Sequence, residues 1–324
     1  MTFFYCKEMQ YLGEIISLGV AFSWTIAAMS CEVASKRLGI VVTNVWRMGL
    51  ALLLSLLMMW WFTGEAFPVH AHFESWVWLL LSGVVGYFFG DWCLFNSYIS
   101  IGSRYGQLFM TLAPMFTAIS AWAMMGQVMS LNSVIAMVVT MSGIAISVLS
   151  KGDGKHKVSL QLPLKGVLFG IGAGLGQGLG YVLSLIGQEY YRADVQAAVS
   201  AEAWKGMENY MSFSANLIRC IAGLVCYGIW LILKGDGKRW AQSVHNKKGM
   251  WALLIAVFSG PFLGVSFSLM AGHYTDAGIA STLMATSPIM ILLPSYYLFH
   301  EKITLKGVVG AVISVIGVSL FFLL

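Results

Sequence analysis

The chain has 324 residues, 58% of them hydrophobic and only 10% charged, with a formal net charge of +5. Soluble domains carry about 25% charged residues, and a soluble fold of this size has nowhere to hide so much apolar surface. A soluble enzyme and a nucleic-acid binder are therefore excluded, which leaves an integral membrane protein. The basic residues sit in short turns between apolar runs, where membrane proteins place them.

In chain order the apolar runs predict ten helical spans: 11–34, 43–62, 75–98, 104–125, 131–150, 163–187, 210–233, 249–272, 278–299 and 305–324. Each is close to the roughly 20 residues that cross a hydrocarbon core about 30 Å thick. The first run contains Glu14 and Glu32 and follows no basic leader with a small-residue cleavage site, so it reads as a retained span. After the second span, His70-x-His72 with Glu74 is a conceivable metal cluster, set against ordinary polar loop residues. The cysteines Cys6, Cys31, Cys93, Cys220 and Cys226 show no CxxC spacing. They read as small buried side chains and not as a disulfide or metal set. The connection Tyr190–Asn209, "YYRADVQAAVSAEAWKGMEN", is long, mixed in charge and rich in alanine. It predicts an inserted surface helix beside the membrane, a passive connector or a regulatory element.

The stretch "FGIGAGLGQGLGYVLS" (Phe169–Ser184) places a glycine at every second position from Gly170 to Gly180. It lacks the strand–turn–helix setting of a dinucleotide loop, and a lone strand in lipid leaves its backbone unsatisfied. As a helix it carries two small-residue stripes, Gly170/Gly174/Gly178 and Gly172/Gly176/Gly180. Each lets a neighbouring backbone approach closely. Tight packing is the plain reading; a helix that rocks against two neighbours is the sharper one. Gly19, Ser23 and Ala27 are a weaker version in the first span.

An internal repeat links the two halves. "LAPMFTAISAWAMMGQVMSLNSVIAMVVTMSGIAIS" (Leu112–Ser147) aligns without gaps with "TSPIMILLPSYYLFHEKITLKGVVGAVISVIGVSLF" (Thr286–Phe321). Pro114 meets Pro288, Ser130 meets Thr304, Gly143 meets Gly317, and upstream Gly86 meets Gly260 and Gly90 meets Gly264. Asn44-x-x-Arg47 pairs with Asn216-x-x-Arg219, and Gly19 with Gly172. Five spans per half make the second half enter from the opposite face, as in secondary transporters with a midplane site. Loop charge agrees. Lys36, Arg37, Arg104, Lys151, Lys165, Lys234, Arg239, Lys247 and Lys302 share one face, while the other has Lys7, Arg192 and Lys205. By the positive-inside rule both termini lie outside the cytoplasm.

Polar groups within spans mark functional sites or buried pairs. Asp91, near Asn96, aligns with Val265. It reads as a proton-coupling site, a counter-ion for a cationic substrate, or a structural partner of Arg47 or Arg219. The two arginines bind an anionic group, serve structure, or snorkel to the interface. Gln107 and Gln177 are hydrogen-bonding candidates for substrate or for another helix. Pro114 and Pro288 each free a carbonyl near the midplane and bend a helix beside a central cavity. Trp24, Trp46, Trp92, Tyr181 and Tyr296 are the aromatic candidates for its lining. The cavity candidates are thus Trp24, Arg47, Asp91, Trp92, Asn96, Gln107, Pro114, Gln177, Tyr181, Arg219 and Pro288.

With ten spans, an arginine opening the second span of each half, a proline in the fourth and the turns "GQVMS" (Gly126–Ser130) and "HEKIT" (His300–Thr304), the chain resembles the EamA-type family of the drug/metabolite transporter superfamily. The family turn is Gly-Glu-x-hydrophobic-Thr/Ser, so Gln127 and His300 each depart from it once. The resemblance implies an all-α fold of two inverted five-helix repeats, 11–150 and 163–324 with 190–209 inserted. It also implies a multi-pass secondary transporter of small metabolites, often an exporter of amino acids, sugars, nucleotide derivatives or drugs. The expected setting is the cell (inner) membrane, as monomer or homodimer, with a coupling proton or other ion, no cofactor, no metal and no nucleic acid. An intramembrane lipid-modifying enzyme and a non-transporting scaffold are the alternatives. HExxH, GxSxG and P-loop motifs are absent from the sequence.

Overall fold

The computed structural model describes residues 11–149, 163–290 and 305–323. Among them every regular element is helical, as a chain must be when its backbone polar groups find no water in hydrocarbon. The helices are α1 (Leu12–Leu38), α2 (Ile40–Thr63), α3 (Phe73–Ser82), α4 (Asp91–Met110), α5 (Ala113–Met125), α6 (Leu131–Leu149), α7 (Leu164–Ala198) and α8 (Ala201–Met207). The second part continues with α9 (Met211–Leu233), α10 (Gly237–Ser243), α11 (Lys247–Val257), α12 (Leu263–Tyr274), α13 (Ala277–Met284), α14 (Ser287–Met290) and α15 (Leu305–Leu323).

Among the described residues, 7 stretches are long and apolar enough to cross a membrane: α1, α2, 73–101, 106–125, α7, α9 and 247–274. Leu131–Ile146 and Leu305–Leu320 are shorter apolar helices. The expected ninth span is described only to Met290, so Tyr296 and the "HEKIT" turn lie outside the described residues, as does most of the Lys151–Lys165 connection. Ser17, Thr43, Ser97 and Thr117 are buried, whereas Ile15, Phe22, Leu53, Trp61 and Ile229 face outward. Polar groups inside and apolar groups outside are the arrangement of a multi-pass membrane protein.

The glycine stretch lies within α7, and its two stripes serve two different neighbours. A Cβ on Gly174 would sit 3.1 Å from the Phe109 carbonyl and one on Gly178 2.7 Å from that of Ala113. On the other stripe, a Cβ on Gly176 would sit 2.7 Å from the Gly90 Cα, and one on Gly180 2.7 Å from the Gly86 Cα. Backbone meets backbone along both lines, as small-xxx-small packing requires.

Helix–helix contacts recur between the two parts of the chain. α7 packs on α3, α4 and α5; α1 packs on α11, α12 and α13; α2 pairs with α9 and α6 with α15. Positions that the sequence alignment pairs make similar contacts. Gly143 abuts Ser314, and Gly317 abuts Thr140. Gly86 lies against Arg219 and Gly180, while Gly260 lies against Arg47 and Ala27. Gly90 meets Gln177, and Gly264 meets Trp24. Gly178 abuts the Ala113 carbonyl, and Thr25 at the aligned place donates to the Ser287 carbonyl at 3.0 Å.

Three features differ from the sequence expectation. First, Tyr190–Ala198 is not surface helix but the last turns of α7. Tyr191 and Val195, one turn apart, are buried, so the apolar face simply continues. Second, Pro114 does not bend a continuous helix. The chain breaks into a turn at Thr111–Leu112 and Pro114 opens α5, with a matching break at Ala285–Thr286 before α14. Proline fits the first turn of a helix, where no donor is needed. Third, the third and eighth spans are widened by π-helical turns, Gly83–Gly90 and Phe258–Phe262, which no periodicity announced.

α1 and α2 are joined by Gly39 alone, at φ 94° and ψ 151°. That backbone region is open essentially only to glycine. Gly39→Ala is expected to cost about 1–3 kcal/mol in denaturant unfolding of the detergent-solubilised protein; an unchanged midpoint would refute the turn geometry.

Candidate functional site

Two adjoining cavities lie where the recurring contacts converge. One, about 50 Å³, is lined by Trp24, Gln107, Gln177, Tyr181, Arg219 and Val265, with Met110, Ala113, Met284 and Ser287 from the two helix breaks. The other, about 80 Å³, is lined by Arg47, Asp91, Phe95 and Tyr98, and shares Trp24, Tyr87, Gln107 and Gln177 with the first. Drug-sized ligand pockets run to about 300–1,000 Å³, so these two cavities leave space for a few waters.

The elements that build the cavities are those that depart from regular helix. The π turn at Gly83–Gly90 delivers Tyr87 and presents Asp91 just after it. Such turns swell the helix by one residue and frequently mark functional sites. Arg47 and Arg219 are 6% and 4% exposed, deep inside α2 and α9 and not snorkelling to an interface. Arg47 donates to Asp91 at 3.0 Å and to Asn44 at 2.6 Å, with its guanidinium 4.8 Å from the Phe95 ring centroid. The other Asp91 oxygen accepts from Gln177 at 2.8 Å. Of the readings open to Asp91, the structural partnership with Arg47 is the one the geometry forms.

Arg219 is arranged differently. Like Arg47 it stacks on a ring, 4.9 Å from the Tyr87 centroid, and has a buried Nε without a partner, but among the described residues neither a carboxylate nor an asparagine accepts from it. The aligned asparagine, Asn216, is committed elsewhere. It accepts from the Tyr87 hydroxyl and donates to the Pro261 carbonyl at 2.6 Å and to Ser266 at 3.2 Å. Gln107 donates to Tyr98, and Tyr181 donates to the Ser268 carbonyl at 2.8 Å.

Seven of the sequence candidates therefore line the cavities: Trp24, Arg47, Asp91, Gln107, Gln177, Tyr181 and Arg219. Trp92, Asn96 and Pro114 line neither. Trp92 packs against Phe169 and Trp230, Asn96 donates to the Trp92 carbonyl, and Pro114 is buried in α5. Trp46 stacks on Trp240 and donates to Ser243, away from both cavities. Pro288 lies in α14, at the second break. His70 faces Glu65 and His72 pairs with Asp194, so the loop histidines serve separate carboxylates. Tyr87, Tyr98 and Ser281 are lining residues that sequence reasoning missed; the only signal was their place near aligned glycines and breaks.

Larger vestibules open at both ends. One of about 440 Å³ holds Gln188, Glu189, Arg192 and His273. One of about 410 Å³ holds Lys36, Lys234, Asp236 and Arg239. Tyr181 and Leu185 pack on Gly272 between the first vestibule and the centre.

Comparison with known proteins places this architecture. The profile of the EamA-like transporter family matches residues 11–149 and 195–323. A curated relative, "Uncharacterized transporter YetK" from Bacillus subtilis (strain 168), is 35% identical over 73 residues, 22% of this chain and 22% of that protein. One solved crystal structure superposes with a TM-score of 0.67 at 12% identity, covering 97% of this chain and 98% of the other, a likeness of fold.

Proposed function

The chain belongs to the EamA-like transporter family, and from that membership we propose that it is a secondary active carrier of small metabolites, working by alternating access. In this reading ten spans form two inverted five-helix halves, 11–150 and 163–324. The substrate, an amino acid, drug or other metabolite for export, occupies the central cavities. A proton or another ion gradient, or the substrate's own gradient, drives it, and the carrier sits in the cell membrane as a monomer or homodimer.

The observation that carries the reading is the reciprocity of aligned contacts around the cavities: Gly86 on Arg219 and Gly260 on Arg47, Gly90 on Gln177 and Gly264 on Trp24. A twofold relation exchanges each contact for its partner, and an inverted repeat supplies that relation. The helix breaks at aligned positions flank the same space, as discontinuous helices do in carriers. A narrow centre between two wider vestibules supports this reading, since a carrier keeps its site between two openings. Flux of labelled metabolites through reconstituted vesicles tests the proposal; a protein that is folded but passes no solute under any imposed gradient would refute it.

Orientation is tested separately. The α1–α2 corner meets the α10–α11 region, Gly39 touching Arg239 and Gly249 touching Arg37. The basic residues of these turns thus gather at one end, which the positive-inside rule assigns to the cytoplasm. Asn246 caps α11, so the probe is placed nearby at exposed Lys248. Lys248→Cys is expected to react with impermeant maleimide only from the cytoplasmic side, the parent protein serving as the blank; labelling from outside reverses the topology.

A further inference from the structure

Resting on the carrier reading, we propose that the cavity at Arg219 takes the carboxylate of a singly charged anion with an apolar body. Arg219 supplies the counter-charge, in the place where the first half of the chain satisfies its own arginine with Asp91. The two arginines are aligned residues, as are Asp91 and Val265. Arg47 is neutralised within the protein by Asp91 and further held by Asn44. Arg219 faces the cavity beside Val265, an apolar side chain where its twin has a carboxylate. Asn216, which would correspond to Asn44, is turned to Tyr87, Pro261 and Ser266.

Among the described residues the Arg219 side chain makes no hydrogen bond or ion pair; it stacks on the Tyr87 ring, and Asp91 feels its charge only from a distance. Its Nε is buried and unpartnered, as is that of Arg47, so the difference between the two arginines is the missing carboxylate. The acidic residue lining the adjoining cavity, Asp91, has both oxygens occupied, by Arg47 and Gln177. The centre therefore holds two cations and one anion, and a buried uncompensated charge is strongly unfavourable. A bound carboxylate completes the balance, and the planar guanidinium is suited to hold it through paired donors. Glycine at position 86 leaves the guanidinium room; a Cβ there would sit 3.1 Å from Nη2. The remaining walls select the ligand's body. Trp24, Tyr181, Met110, Met284 and Val265 are apolar or aromatic, and no acidic side chain is left over for an ammonium group.

The test is equilibrium titration of the purified full-length protein, read by tryptophan fluorescence and calorimetry. The probes are 3-phenylpropionate, its neutral amide and the matching 3-phenylpropylamine. The carboxylate is expected to bind about tenfold or more tightly than either analogue. Arg219→Gln is expected to abolish that preference. So is Val265→Asp, which installs the first half's ion pair in the second. Arg219→Gln removes the unbalanced charge and Val265→Asp balances it, so the thermal midpoints of both should equal or exceed the parent's. Amide or amine binding as tightly as the acid would overturn the proposal. So would either variant keeping the preference, or no carboxylate binding up to about 10 mM. Binding needs no flux, so vesicle transport decides the carrier reading independently: flux of neutral or cationic solutes alone would sink the carboxylate and leave the carrier standing.

Discussion

Asp91→Asn is expected to destabilise the folded protein by about 3–5 kcal/mol, because it strips the counter-charge from an arginine that has nowhere to go. Arg47 is almost wholly buried and its other polar partner, Asn44, is neutral. The asparagine keeps the shape and the Gln177 contact but not the charge. The double variant Arg47→Gln/Asp91→Asn removes both charges and is expected to recover more than half of the loss, since a balanced neutral pair replaces an orphan. Unfolding in denaturant, with the two single and the double variants compared as a cycle, measures this. The same variants separate the pair from a proton carrier. A carboxylate that takes up the coupling proton would leave Asp91→Asn folded and its residual flux independent of pH. An ion pair leaves pH dependence intact in whatever fraction stays folded. Stable Asp91→Asn protein with flattened pH dependence would reverse the assignment.

The helical membrane fold was legible because hydropathy alone decides it. Runs of apolar residues long enough to cross hydrocarbon have one backbone solution, and helices stand at every one of the described runs. The register proposed between halves rests on the few residues that apolar drift does not supply: the prolines, the Asn/Arg pairs and the glycines. What the register could not carry was partner choice. Asn44 and Asn216 are the same residue at the same place, yet one serves Arg47 and the other serves Tyr87 and the Pro261 carbonyl. The aligned positions around them differ, Tyr87 against Pro261, Asp91 against Val265 and Trp92 against Ser266, and their effect appears only once the helices are packed. The π turns escaped for a related reason. A single extra residue per turn leaves composition untouched, and it declares itself through the close approach of Gly86 and Gly90 to α7. Trp92 and Asn96 were misplaced because both sit near Asp91 in sequence, but the helix rotates successive side chains by about 100°, so nearness in sequence is not a shared face. The length of α7 was hidden by polar residues at Glu189, Arg192 and Asp194. Glu189 is exposed, and Arg192 and Asp194 are half-buried, paired with Glu208 and with His72 and Ser75, while Tyr191 and Val195 continue the buried face.

The glycine stripe gives the second large effect. Gly176→Ala and Gly180→Ala are each expected to destabilise by about 1–3 kcal/mol, since the added methyl meets backbone and not a side chain that can swing away. The obstructing atoms are the Gly90 Cα in one case and the Gly86 Cα in the other, both at 2.7 Å. These positions share one π-helical partner, so the double variant is expected to depart from additivity: a single outward shift of that segment relieves both methyls. Gly19→Ala is the control. Gly19 belongs to the matching stripe of α1, but a Cβ there meets nothing within 4 Å. Its substitution is expected to leave stability unchanged or raise it by about 0.5–1 kcal/mol, as alanine gains over glycine in an open helix position. Thermal unfolding in detergent reads all four proteins, and vesicle flux adds the functional axis. If the stripe serves packing alone, flux per folded molecule stays constant across the series. A variant that is fully folded at the assay temperature yet transports poorly would assign the stripe a sliding role, because a methyl tolerated in the resting state would then be blocking a later one.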